Sequence, residues 1–123
     1  MTQTIFIPGP MPGLNDVIAM AKRHWAAYAK EKEYWTTLMA LKCKEMAIRP
    51  LKRCFIDFTW VEKNQRRDPD NITAIGRKFI LDGLVQAGVL ENDGWSQVAG
   101  WSDKFVVDKE SPGVKIEIAE GER

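Results

Sequence analysis

The stretch RCFIDFTWVEKNQRRDPDNITAIGRKFILDGLVQAG, residues 53–88, sets the framework for the whole chain. Its first part alternates. Phe55, Asp57 and Thr59 fall on one side and Ile56, Phe58 and Trp60 on the other, the pattern of a half-buried strand. Its last part carries Ile72, Ile75, Phe79, Leu81 and Val85 at helical spacing, and the run stops at Gly88. That predicts a helix over about 71–87 with a glycine just past its end. Between them lies RRDPDN, Arg66 to Asn71, where two arginines precede a carboxylate, a proline, a second carboxylate and an amide.

Proline pushes the residue before it into extended geometry, so Asp68 is expected to be extended. In an extended chain residues i and i+2 face the same side, which would present the Asp68 and Asp70 carboxylates together. Two like charges held close are unfavourable without a cation, and hard oxygen donors suit magnesium or manganese. On the helix, Asn71, Lys78 and Asp82 form a polar stripe on an otherwise apolar element. Asp93, in the ENDGW loop beyond it, could return a third carboxylate. Each feature also has a plainer reading. Asp70 or Asn71 is a good N-cap, Lys78 and Asp82 make an ordinary i, i+4 pair, and Asp93-Gly94 is a common turn. Trp95 and Trp101 read as core or sheet-face residues.

Outward from this stretch, TIFIP reads as a strand with Ile5 and Ile7 on one face and Thr4 and Phe6 on the other. PGPMPG is a turn cluster. Residues 17–47 are helical in pattern, with a break expected near His24. SQVAGWSDKFVVDKE and GVKIEIAE read as two strands joined at SPG as a hairpin. The order β-α-β-α-β-β predicts a single α+β domain over 1–123, with a mixed sheet and helices on a face.

Hydrophobic residues make up 45% of the 123 and charged residues 28%, which fits a globular domain. No segment looks like a membrane span or a signal peptide, so a cytoplasmic protein is expected. Cys43 and Cys54 lie in separate elements, and His24 is the only histidine. These read as free thiols, and the chain is too poor in ligands for a zinc site. There is no GxSxG, no GxxxxGK[ST] and no GxGxxG, so neither a serine hydrolase nor a nucleotide cofactor is supported. Net charge is only +1, but base gathers early, at Lys22, Arg23 and along the first helices, and again at Lys63, Arg66 and Arg67. A basic half of a neutral chain can hold a phosphate backbone.

With RRDPDN, then KFILDGLVQAGVLENDG, and an opening strand followed by PGPMPGLND, the chain resembles the RusA family of Holliday-junction resolvases, of the phage and prophage type. The close likeness covers about a quarter of the chain. It implies a small homodimeric α+β endonuclease that needs Mg²⁺, with Mn²⁺ able to substitute, and that nicks four-way DNA junctions symmetrically in recombination and repair. It implies Asp68, Asp70 and Asp93 as metal ligands and Lys78 as the catalytic lysine, with Asn71 and Asp82 supporting. Lys63, Arg66, Arg67, Lys22 and Arg23 would then meet DNA. The chain departs from the family in two places. Its lysine lies one helical turn farther along, with Ala74 at the family's position, and Asn92-Asp93 stands where the family often has two aspartates. The competing readings are a non-catalytic nucleic-acid-binding protein of the same fold and a magnesium nuclease for other branched DNA.

Overall fold

In the computed structural model, which describes residues 2–121, the strand at the heart of the opening stretch is also the centre of the sheet. This strand is the second in the chain. The elements are β1 (Thr2–Pro8), α1 (Leu14–Arg23), α2 (Trp25–Glu45), β2 (Cys54–Glu62), α3 (Pro69–Gln86), β3 (Val98–Val107) and β4 (Gly113–Glu120). The four strands form one mixed sheet in the order β1-β4-β2-β3. β2 runs antiparallel to β4 and parallel to β3. The chain is thus a single α+β domain.

Strand periodicity decides which face is covered. Ile5, Ile7, Cys54, Ile56, Phe58, Trp60, Val114, Ile116 and Ile118 are all buried and form one core with residues of the helices. Apart from Gly113, their alternates are exposed or half-buried, so the helices cover one face of the sheet and water meets the other. Phe58 and Trp60 stack at 5.4 Å between ring centroids. α3 lies close on α2, because Gly83 lets the backbones approach; a Cβ there would overlap the Met39 side chain.

The helix break falls at His24, whose extended backbone (φ −159°, ψ 100°) closes α1 and opens α2. α3 stops at Ala87, and Gly88 follows in the left-handed region at φ 79°. The Val89 amide then bonds the Leu84 carbonyl at 3.0 Å, satisfying a carbonyl of the last turn.

One topological expectation is overturned. β3 and β4 do not pair as a hairpin. β4 enters between β1 and β2, and β3 lies on the far side of β2. The reason is burial. Val114, Ile116 and Ile118 each need the helix-covered interior, whereas β3 is half-buried at its start and exposed from Trp101 onward. The 108–112 connection therefore crosses the end of β2, where the Asp108 amide bonds the Glu62 carbonyl at 2.8 Å. β2-α3-β3 becomes a parallel crossover unit, with α3 as its helix. No helix among the described residues is long and apolar enough to cross a membrane.

Candidate functional site

The acidic turn sits where β2 hands the chain to α3. Asp68 is extended (φ −72°, ψ 151°), as the following proline requires, and it is the N-cap residue of α3. Pro69 takes the first helical position, where its missing N–H costs no bond. The cap is therefore Asp68 and not Asp70 or Asn71, and its side chain makes no capping hydrogen bond. Asp70 already lies inside the helix, so the i, i+2 argument from extended geometry does not govern it. What both carboxylates share is the positive end of the helix dipole, which favours acid in the first turn.

Asp68 and Asp70 are both exposed. The Asp70 carboxylate accepts the Asn71 amide at 2.9 Å, and neither aspartate has a cationic partner among the described residues. Asn71 is a tie between elements: its Oδ1 accepts the Asn15 amide at 2.8 Å and joins the start of α3 to the start of α1.

The two arginines before the turn separate in role. Arg67 is half-buried. It holds Glu62 through two bonds of 2.9 and 2.8 Å, donates to the Met11 carbonyl at 3.0 Å and lies 3.8 Å from Asp16. The bond to Glu62, above all, raises its already high pKa. Arg67 therefore fastens the 64–68 loop to β2 and to the proline-rich turn. Arg66 and Lys63 are exposed, and neither side chain has a described partner. Lys22 and Arg23, also exposed, end α1.

Lys78 stands farther along α3. Its ammonium lies 3.0 Å from Asp82 and 3.5 Å from Asp93, so the expected i, i+4 pair is present and the loop after α3 closes on it. The hydrogen bond to Asp82 is the main cause of its raised pKa; Asp93 adds to it. Asp93 thus comes back to Lys78 and Asp82. The eight residues from Asp70 to Lys78 rise about 12 Å along the helix, which sets this cluster apart from the acidic turn. Among the described residues no group of three or more His, Cys, Asp or Glu side chains is gathered to hold a metal ion.

The loop that carries Asp93 is braced from inside. Buried Gln97 accepts the Glu91 amide at 2.7 Å and the Asn92 amide at 3.3 Å. Asn92 Oδ1 accepts the Gly94 amide at 2.9 Å, and Arg53 donates to the Trp95 and Ser96 carbonyls at 2.9 and 3.1 Å. Trp95 projects from this loop with 96% of its surface exposed, so it is no core residue.

Sequence reasoning missed Arg77. Its guanidinium pairs with Asp103, lies 4.7 Å from the centre of the Trp101 ring and 5.4 Å from that of Phe58, and fixes α3 to β3. Trp60 also donates to Asp103, at 2.8 Å. The register that sets Phe58 opposite Asp103 depends on the parallel crossover, which no local pattern announces. No protein-family model matches the chain, and no curated protein does either.

Proposed function

We propose that this chain is a magnesium-dependent endonuclease that resolves four-way DNA junctions by paired nicks in recombination and repair, working as a homodimer in the cytoplasm. One observation carries the reading: among the described residues Asp68 and Asp70 are exposed carboxylates without a cationic partner, on a turn that also offers Arg66 and Lys63 to solvent. Open, hard oxygen donors beside free base fit a divalent cation at a phosphate. The resemblance seen in RRDPDN and KFILDGLVQAGVLENDG supports the same chemistry.

Asp68 and Asp70 would hold Mg²⁺, or Mn²⁺ in its place, and Asp93 would join them as a third carboxylate only on leaving its pairing with Lys78. A bound dication supplies Lewis-acid help to the attacking water and to the leaving oxygen. Lys78 supplies positive charge for the phosphate as charge develops on it, or a proton for the leaving oxygen. The hydrogen bond to Asp82 favours the charged form of that lysine. Lys63, Arg66, Lys22 and Arg23 hold junction arms by phosphate contacts, which position DNA without reading its sequence. Arg67 supports them by holding the loop in shape. A two-fold dimer would offer matched sites to a two-fold junction.

The second reading is a non-catalytic binder of branched DNA. It is favoured by the pairing of Asp93 with Lys78 rather than with the acidic turn. Single-turnover cleavage of a synthetic junction with Mg²⁺, run beside binding in Ca²⁺, separates the two. Asp70→Asn should lose cleavage by orders of magnitude and keep binding. Wild-type cutting by that variant, or no cutting by the native chain, would leave the binder. Flap and linear duplex substrates in the same assay test the choice of junction over other DNA.

A further inference from the structure

We infer that a slot between the end of β3 and the first turn of α3 is a base subsite. It takes one unstacked nucleobase of the DNA strand whose phosphate lies at the acidic turn. This rests on the reading of the chain as a DNA endonuclease, and it concerns a part of the substrate that the turn itself does not hold. The slot has a volume of about 240 Å³, and Asp68 is one of the residues that line it.

Topology opens the slot. α3 begins just beyond the carboxyl end of β2, and β3 returns parallel beside that strand, so the first turn of α3 and the end of β3 meet at one end of the sheet. Crevices beyond the carboxyl ends of parallel strands are where α/β sheets bind ligands. The register sets Phe105 beside Trp60 and Val107 beside Glu62, on the side that the helices cover elsewhere. β3 is the edge strand, however, and its end is left uncovered: Phe105 is 41% exposed and Val107 54%. With Pro69 and buried Ile72 of α3 they give the slot an apolar lining. Exposed apolar side chains gathered in a concave place mark a binding site.

The remaining lining says what fits. Asn64 and Gln65 add side-chain amides. The Asn64 Oδ1 accepts the Arg66 amide at 3.0 Å, which leaves its NH₂ to donate, and the Gln65 amide has no partner among the described residues. Side-chain amides bond the edges of bases, with donor and acceptor side by side. Arg67 and Glu62 also line the slot but are bonded to each other, so together they bring no net charge and favour a neutral ring over an ion. Base lies on the other side of that pair. A second hollow of about 280 Å³, which holds Lys63 and Arg66, shares Glu62, Asn64 and Arg67 with the slot. Its Asp16 is already met by Arg67 and by the Gly13 amide. The strand backbone thus follows Lys63 and Arg66 to the acidic turn while one base turns inward, its face on Phe105 and its edge on the amides. Turning a base out of its stack costs least where it is unpaired, as at a branch point.

Binding of short DNA in Ca²⁺ tests this without any cleavage. The probe is a short single strand of thymidylate, set beside an abasic strand of the same length and charge. In methyl-labelled protein, ring-current shifts should appear at Ile72 and Val107 with the thymidylate strand and be absent with the abasic one. Ile118, toward the other end of the sheet, should stay still with both. Phe105→Ala should weaken the thymidylate strand about 5- to 100-fold, the loss of one base–aromatic stack, and leave the abasic strand as it was. Phe105→Tyr should bind like the native chain and Phe105→Leu should not, which separates stacking from loss of bulk or of fold. Equal shifts with both strands, no shift with either at millimolar concentration, or an unaltered affinity in Phe105→Ala would each overturn the inference. So would shifts at these methyls on raising the protein concentration alone, which would make a second copy the occupant. The nuclease reading fails separately. A chain that takes the base and never cuts keeps the subsite and loses the enzyme. A chain that cuts ordinary and abasic junctions alike keeps the enzyme and loses the subsite.

Discussion

The Lys78 ammonium lies 3.5 Å from a carboxylate oxygen of Asp93, so charge holds the end of the 91–97 loop against α3. Asp82, one helical turn on, lies closer to the same ammonium, at 3.0 Å. The order of these distances matters for how the lysine titrates.

Lys78 should titrate above the ordinary lysine value of about 10.4. Its folded pKa is raised, with the Asp82 hydrogen bond as the main cause. A raised folded pKa adds stability that is fully present below the unfolded value. That stability is lost as pH rises through the folded one, so the effect is confined to alkaline solution. Side-chain NMR of labelled lysine should show the midpoint fall more in Asp82→Asn than in Asp93→Asn. Equal falls would mean that the two carboxylates share the lysine evenly.

Arg66→Ala and Arg67→Ala should differ in kind. Losing Arg67 strips Glu62 and the Met11 carbonyl of their partner and should cost about 2 kcal/mol of stability. In urea the midpoint should fall with an unchanged slope, and Arg67→Lys should restore only part, because lysine cannot make the forked bond. Arg66→Ala should leave the midpoint in place while weakening junction binding and flattening its salt dependence.

Asp103→Asn should destabilise the chain by roughly 1–3 kcal/mol, because it removes the counter-charge of Arg77 where that guanidinium packs on Trp101 and Phe58. Thermal unfolding measures it. This aspartate lies apart from the acidic turn, yet it is not a neutral control for charge removal.

The Cys43 thiol should resist reagents in the folded chain. Burial raises its pKa to about 11, so almost no thiolate exists near neutrality. Ellman's reagent at mildly alkaline pH should react only as fast as the protein opens. Between the ordinary thiol value of 9.0 and about 11 the unfolded chain releases this proton and the folded chain keeps it, so stability falls as pH rises there.

Much of this architecture was legible in the sequence, because it depends on periodicity and punctuation. The alternation in β2, the break at His24 and the stop at Gly88 are local, and each has a local physical cause. The sheet order was not legible. A short SPG connection suggests a hairpin, and only the shared demand of Val114, Ile116 and Ile118 for the helix-covered face sends β4 to the other side of β2. The candidate site divides the same way. Extended Asp68 and the Lys78–Asp82 pair follow from neighbours in the chain. The anchoring of Arg67 at Met11 and the choice of Lys78 as the partner of Asp93 depend on long-range packing.

The braced loop makes the molecule its own optical probe. Of the five tryptophans, Trp35 and Trp60 are shielded, Trp25 and Trp101 are partly in water, and Trp95, two positions beyond Asp93, is 96% exposed. Iodide should therefore quench Trp95, Trp25 and Trp101 ahead of the shielded indoles, and the share of easily quenched emission that Trp95→Phe removes is the signal of Trp95. Any molecule that settles beside Asp93 would report its arrival as protection of one indole, with no label attached to the protein.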